Sequence, residues 1–151
     1  MAVQSQPGQL DTVLERVPWS TWVMTAAHDD QRAGVVVHWV QRCAAQPVLV
    51  SVSMAKCHSL EPLLRDSRAF ALNLVSETDR LLLRKFDGHV PPDELSDTFD
   101  SLAIESWASG SPILRRATAA IDCEIVRHID LESDTELYIG QVLDARVISP
   151  G

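Results

Sequence analysis

The residues of this 151-residue chain that could do chemistry are its five histidines, three cysteines, numerous carboxylates and a few well-placed serines and basic groups. The histidines do not share a ligand spacing. His38 lies in an apolar run, His58 before a helical pattern, His89 in an acidic stretch and His128 near the end of another apolar run, so each reads as an ordinary histidine and no metal site is expected. Cys43, Cys57 and Cys123 are odd in number and form no Cys-x-x-Cys pair, which suits structural thiols better than a disulfide or zinc framework. Asp93, Glu94, Asp97 and Asp100 read as a solvated acidic loop, because a paired-carboxylate hydrolase needs convergence that spacing does not supply. No Gly-x-Ser-x-Gly elbow is present, and no Gly-x-Gly of a Rossmann turn. The net charge of −8 and the lack of a basic stripe exclude general nucleic-acid affinity. Any phosphate bound here must therefore be held by a local cluster of donors.

The elements that would position such a cluster are mostly strands. Leu10, Val13, Leu14 and Val17 recur at helical spacing, predicting a short amphipathic helix stopped by Pro18. Ser20 to Ala27 and Gly34 to Gln41 read as two strands of a hairpin with a long turn over His28 to Arg32. In Val48 to Met54 the apolar Val48, Val50, Val52 and Met54 alternate with Leu49, Ser51 and Ser53, a strand with one apolar and one hydroxyl-bearing face. Ser59 is placed to cap a helix that tolerates Pro62 in its first turn. Ala69 to Val75 returns to strand, Glu77 to Phe86 to helix, and Asp87 to Ser101 to a loop with a short helical piece. Thr118 to Ile129 and Glu136 to Val147 are the last two strands, parted by Asp130 to Asp134. With no repeat and no linker, residues 1–151 are expected to form a single domain. It is mainly β with a few helices, a closed or half-closed antiparallel barrel. The apolar runs are too short to span a bilayer and the first residues carry no secretory pattern, so the expected location is cytoplasmic.

The order of these pieces resembles the flavin reductase-like, FMN-binding split-barrel family, and especially the version of that domain fused to flavodiiron proteins. The resemblance runs through Trp22-Val23-Met24-Thr25-Ala26 and Gly34-Val35-Val36-Val37-His38-Trp39-Val40-Gln41. It continues through Pro47-Val48-Leu49-Val50-Ser51-Val52, Lys56-Cys57-His58-Ser59 and Phe70-Ala71-Leu72-Asn73-Leu74. Late in the chain it covers Pro112-Ile113-Leu114, Ala120-Ile121-Asp122-Cys123-Glu124 and the run from Asp134 to Val142. Nearly all of the chain is included.

What the resemblance implies is an FMN site and a split β-barrel of the FMN-binding type, in a homodimer with flavin near the subunit boundary. Trp39, Val40 and Gln41 would belong to the strand facing the ring. Ser53, Lys56 and Ser59 would lie near the phosphate or ribityl chain, with Arg84 and Lys85 completing that region and Arg42 adding charge beside it. Each also has a plainer reading: Trp39 as a barrel-core aromatic, Ser53 as a solvated strand residue and Ser59 as a helix cap. Lys56 reads as a solvated charge, and Arg84-Lys85 as cations favoured at a helix C-terminus. The sequence departs from the family pattern in three places. Gln41-Arg42-Cys43-Ala44 stands where hydroxyl residues are common, the Pro-Pro dipeptide is reduced to Pro47-Val48, and Thr135 occupies a position often held by histidine, where a catalytic role is expected. Threonine cannot titrate near neutral pH, so nicotinamide binding or proton handling is the step this change touches. Three functions follow. The first is an NAD(P)H-dependent flavin reductase serving a partner oxygenase or other electron acceptor. The second is a non-catalytic FMN-binding or electron-carrier module, and the third a flavin-free interaction protein on the same barrel.

Overall fold

Twelve elements follow one another in the computed structural model, which describes residues 8–56, 59–87 and 97–149. Cys57, His58, His89, Asp93 and Glu94 lie outside the described residues. The chain runs α1 (Gln9–Leu14), β1 (Trp22–His28), β2 (Gln31–Val37), β3 (Trp39–Ala45), β4 (Val48–Ala55), α2 (Glu61–Ser67) and β5 (Ala69–Leu74). It continues with α3 (Arg80–Phe86), β6 (Ile104–Ser106), β7 (Pro112–Leu114), β8 (Ala119–Asp130) and β9 (Thr135–Val147). Seven strands form one sheet in the order β2-β1-β5-β8-β9-β4-β3, and every pairing is antiparallel. The two edge strands of that order, β2 and β3, are joined by His38 alone. A flat sheet cannot place its opposite edges one residue apart, so the sheet must roll up until they meet. They meet without pairing, which makes the barrel a split one.

This junction corrects the single strand expected over Gly34 to Gln41. Nothing punctuates the run Val35 to Val40 in sequence, yet its direction changes at His38, whose carbonyl accepts from the Ser20 N–H at 3.4 Å. The β1–β2 turn is also shorter than expected. It is the pair Asp29-Asp30, with Asp29 at φ 54°, a left-handed conformation that aspartate tolerates better than most residues.

Inside the barrel Met24, Val52, Met54, Phe70, Leu72 and Tyr138 pack together, and Leu60, Leu63 and Leu64 from α2 close one end. Gly140 is required there. A Cβ on it would lie 2.7 Å from both the Cys123 Cβ and the Phe70 Cζ, closer than packed carbons approach. α2 itself starts later than Ser59. Leu60 occupies its N-cap position in a helical conformation, because its fully buried side chain belongs to the plug, and no side-chain cap bond is made. α3 likewise begins at Arg80 and not at Glu77, with the Asp79 carboxylate accepting from the Leu82 N–H at 3.4 Å. Its Leu82 and Phe86 pack with Val23, Phe99 and Leu114 on the outside of β1 and β2.

Buried polar groups pin the β6–β7 hairpin to the barrel. Asn73 donates to the Val23 carbonyl at 3.1 Å and accepts from the Leu114 N–H at 2.8 Å, while the Thr25 hydroxyl donates to the Pro112 carbonyl at 2.6 Å. The fully buried Asp122 carboxylate takes the N–H of Ser109 at 2.8 Å and its hydroxyl as well. Strands of three residues each are too short to announce themselves by alternation, so β6 and β7 were not expected. Among the described residues no helix is long and apolar enough to cross a membrane.

Candidate functional site

The register of three adjacent strands assembles the candidate site. Trp39 on β3 pairs with Ser53 on β4, which pairs with Leu137 on β9; Gln41 pairs with Ser51, and Ser51 with Ile139. Directly paired residues project to the same face of a sheet. Val50, Val52 and Met54 point inward to the core, so Ser51 and Ser53 point outward, and Trp39, Gln41, Leu137 and Ile139 go with them. Thr135, opposite Ala55, ends the same outward row. The result is a shallow wall: an indole, two aliphatic side chains, two serine hydroxyls, a carboxamide and a threonine.

The plainer reading of Trp39 as a core aromatic is overturned. Its surface is 63% exposed, although it is the kind of side chain that fills interiors. It stands beside a hollow of about 460 Å³ bounded by α1, Trp19 and His38, where Trp19 meets the His38 ring edge-on at 5.0 Å. α1 offers no cover, since its own apolar residues, Leu10, Val13 and Leu14, are exposed.

Four expected site residues share the outer face or its margin: Trp39, Gln41, Ser53 and Thr135. Val40 and Arg42 do not share it. They pair with Val52 and Val50, which places them on the opposite face of β3; Val40 packs against the core and the Arg42 Nε donates to the Ala44 carbonyl at 3.4 Å. A β-bulge at Cys43 follows, so the register beyond it is shifted by one residue. Ser59 sits just ahead of the α2 cap, past the end of β4. Arg84 and Lys85 occupy the last turn of α3 on the outside of β1 and β2, the place where the helix dipole favours cations. Ser51, Leu137 and Ile139 were not singled out in sequence, though the period-two alternation that exposes Ser53 also exposes them.

Lys56 continues β4 beyond the wall and is already engaged. Its N–H donates to the Asp134 carbonyl at 3.1 Å, and its ammonium lies 3.6 Å from an Asp130 carboxylate oxygen. Asp130 is held below the usual carboxylate range, first by the Glu132 N–H it accepts at 2.8 Å and then by the Lys56 charge. The pair is solvent-exposed, so a phosphate can compete for Lys56 at small cost. The thiols do not join the site. Cys43 is exposed on the bulge, while Cys123 is buried in the barrel, where desolvation and the nearby Asp122 push it up to about 12. Among the described residues no group of three or more His, Cys, Asp or Glu could hold a metal ion.

The fold and the site together are a seven-stranded antiparallel split barrel, open between β2 and β3 and carrying an exposed aromatic and serine wall. Residues 14–151 match the model of the flavin reductase like domain, and the chain belongs to that family. It is 26% identical over 146 residues to diflavin flavoprotein A 1 of Synechocystis sp., a match covering 96% of this chain and 25% of that protein. The chain thus spans about a quarter of the length of the curated relatives it matches. Among solved structures, the NADH:FAD oxidoreductase SgcE6 of Streptomyces globisporus C-1027 superposes with a TM-score of 0.78 at 23% identity, covering 97% of this chain and 88% of that one. An FMN-binding protein from Thermus thermophilus gives a TM-score of 0.75 at 19% identity, covering 97% and 78%. These likenesses establish the fold as the flavin reductase split barrel.

Proposed function

We propose that the outer face of β3, β4 and β9 binds FMN and that the chain is an NAD(P)H-dependent flavin reductase. The observation that carries this reading is the convergence of Trp39, Ser53 and Thr135 on one face by strand register, in a chain of the flavin reductase-like family. The wall suits a tricyclic ring because Trp39, Leu137 and Ile139 supply flat apolar surface beside hydroxyl and carboxamide donors. Bound FMN supplies the acceptor for the hydride of NADH or NADPH. This chain's residues would do the remaining work. Trp39 stacks against the ring, Ser51, Ser53 and Gln41 hydrogen-bond along its polar edge, and Lys56 with Ser59 takes the phosphate. Thr135, at the end of the wall, orients the nicotinamide carboxamide by a hydrogen bond and holds no titrating proton.

A second copy of the chain would cover Trp39 and the apolar row Leu10, Val13 and Leu14, forming a homodimer that closes the flavin face. Mixing the purified chain with FMN and either NADH or NADPH, and following nicotinamide absorbance, tests the reductase. Oxidation well above the free-flavin background is expected, and a rate equal to that background contradicts it. Thr135 favours a second reading, an FMN-binding electron carrier without nicotinamide turnover. That reading expects a yellow protein that dithionite reduces and NADH or NADPH does not.

A further inference from the structure

A cavity bordered by α2 and β8 lies away from that wall. β5 pairs with β8 only as far as Ala69 opposite Glu124, so the rest of β8 overhangs, with α2 alongside in place of a strand. The Ile125 N–H still reaches the Arg68 carbonyl at 2.8 Å, but beyond it the strand edge and the helix diverge. A helix stands about 10 Å from what it packs on while paired strands stand about 4.8 Å apart, and the mismatch leaves a gap. That gap is a cavity of about 650 Å³. Its floor is the inner face of the hairpin, where His128 and Tyr138 lie, whereas Thr135, Leu137 and Ile139 face the other way.

Two features of the cavity point to one kind of occupant. The first is charge. Three of the chain's 13 Lys and Arg residues, Arg65, Arg68 and Arg127, line it, against one of its 21 carboxylates, Glu61. In a protein of net charge −8 this is a local concentration of basic groups. Arg65 is paired with Asp66 at 3.2 Å, but Arg68 and Arg127 make no ion pair with a described residue. Arg127 pairs with Ile139 and so roots on the opposite face of the hairpin from His128, yet it borders the cavity, and its Nη1 donates to the Val126 carbonyl at 2.9 Å. The second is a fixed ring. His128 stacks on Tyr138 with centroids 4.3 Å apart and planes 5° apart, and its Nε2 is 3.1 Å from the Glu136 Oε1. Glu136 is buried, and among the described residues the imidazole is the partner of this carboxylate, through Oε1, which holds the ring in place. The histidine is thus clamped parallel to a buried tyrosine, and its side chain remains 46% exposed at the cavity.

We infer that this cavity is a second ligand site, for a planar aromatic anion whose ring stacks on His128 and whose carboxylate or phosphate is taken by Arg68 and Arg127. The volume fits such a molecule and exceeds what a bare phosphate fills. Leu64, Ile125 and Val126 supply the apolar sides. The site does not depend on the flavin reading, since its ring platform, His128 on Tyr138, faces away from the wall and its test uses no flavin.

Isothermal titration of the full chain with benzoate and with 5′-AMP tests the inference, with benzamide and adenosine as uncharged counterparts. Binding of at least one anion is expected, the one that binds identifying the carboxylate or the phosphate as the recognised group. R68A/R127A should weaken it at least about tenfold, as loss of charge-assisted hydrogen bonds does. H128A should weaken it several-fold, while R65A, whose charge Asp66 already meets, should change it little. Thermal melts of the variants establish that each is folded, and all four positions are solvent-exposed. Binding of neither anion, equal binding of the uncharged counterparts, or an unchanged affinity in folded R68A/R127A overturns the inference.

Discussion

β5 and β3 belong to the same sheet and share almost nothing else. β5 is buried along its length except for half-exposed Leu74, with core packing on one face and the pinned β6–β7 hairpin against the other. β3 leaves five of its seven residues exposed, including an uncovered tryptophan. One strand is committed to holding the barrel, and the other is left available. Residues of the first kind should govern stability and leave binding alone; residues of the second should do the reverse.

The strongest challenge to that division is Phe70→Ala on β5. It should cost about 3–5 kcal/mol, the usual range for emptying a buried phenylalanine site, and chemical denaturation measures it directly. Next is Gly140→Ala, where the new methyl meets Phe70 and Cys123; the expected loss is about 1–3 kcal/mol by the same assay. Trp39→Ala on β3 should shift stability by no more than about 0.5 kcal/mol. A large destabilisation there would erase the contrast between the strands.

The cysteines sharpen the comparison at less cost. Iodoacetamide at mildly alkaline pH should label Cys43 and spare Cys123, as read by peptide mass mapping. The Cys123 thiol is raised to about 12 from 9.0, so folding favours its neutral form. That contribution is present below pH 9 and is lost as pH rises from 9 towards 12, which steepens alkaline unfolding. The smallest effect is at Asp130. Its folded value is depressed, so its contribution is present above 3.8 and fades only as pH falls below that. Asp130→Asn should lower stability near neutral pH only slightly, the pair being solvent-exposed, and tighten FMN a few-fold by releasing Lys56, seen in a fluorescence titration.

The legible part of this fold was the part written in alternation. Val48 to Met54 showed which face of β4 is apolar, and that single pattern places Ser53 outward. The hairpin of β8 and β9 was legible from the polar run between two long apolar ones. The turn at His38 was not, because barrel closure is a long-range demand and leaves no Gly or Pro in a run of valines. Strand alternation separates Trp39 from Val40 and Arg42, which a motif taken as one block groups together. Arg84 and Lys85 show the opposite limit: the plain helix-end reading describes where they sit, and resemblance alone gave them a second role. The basic cavity beside α2 was invisible in sequence, since Arg68 and Arg127 lie far apart in the chain and meet only where β5 stops short of β8.

The central claim is that the exposed wall of β3, β4 and β9 seats a flavin. A titration of FMN fluorescence with the wild-type chain and with Trp39→Ala tests it most directly. Saturable quenching by the wild type is expected, weakened several-fold and up to about tenfold in the variant at unchanged melting temperature, because a lost aromatic stack is worth a factor of that size. Absence of quenching by the wild type, or superimposable curves for the two proteins, would contradict the account.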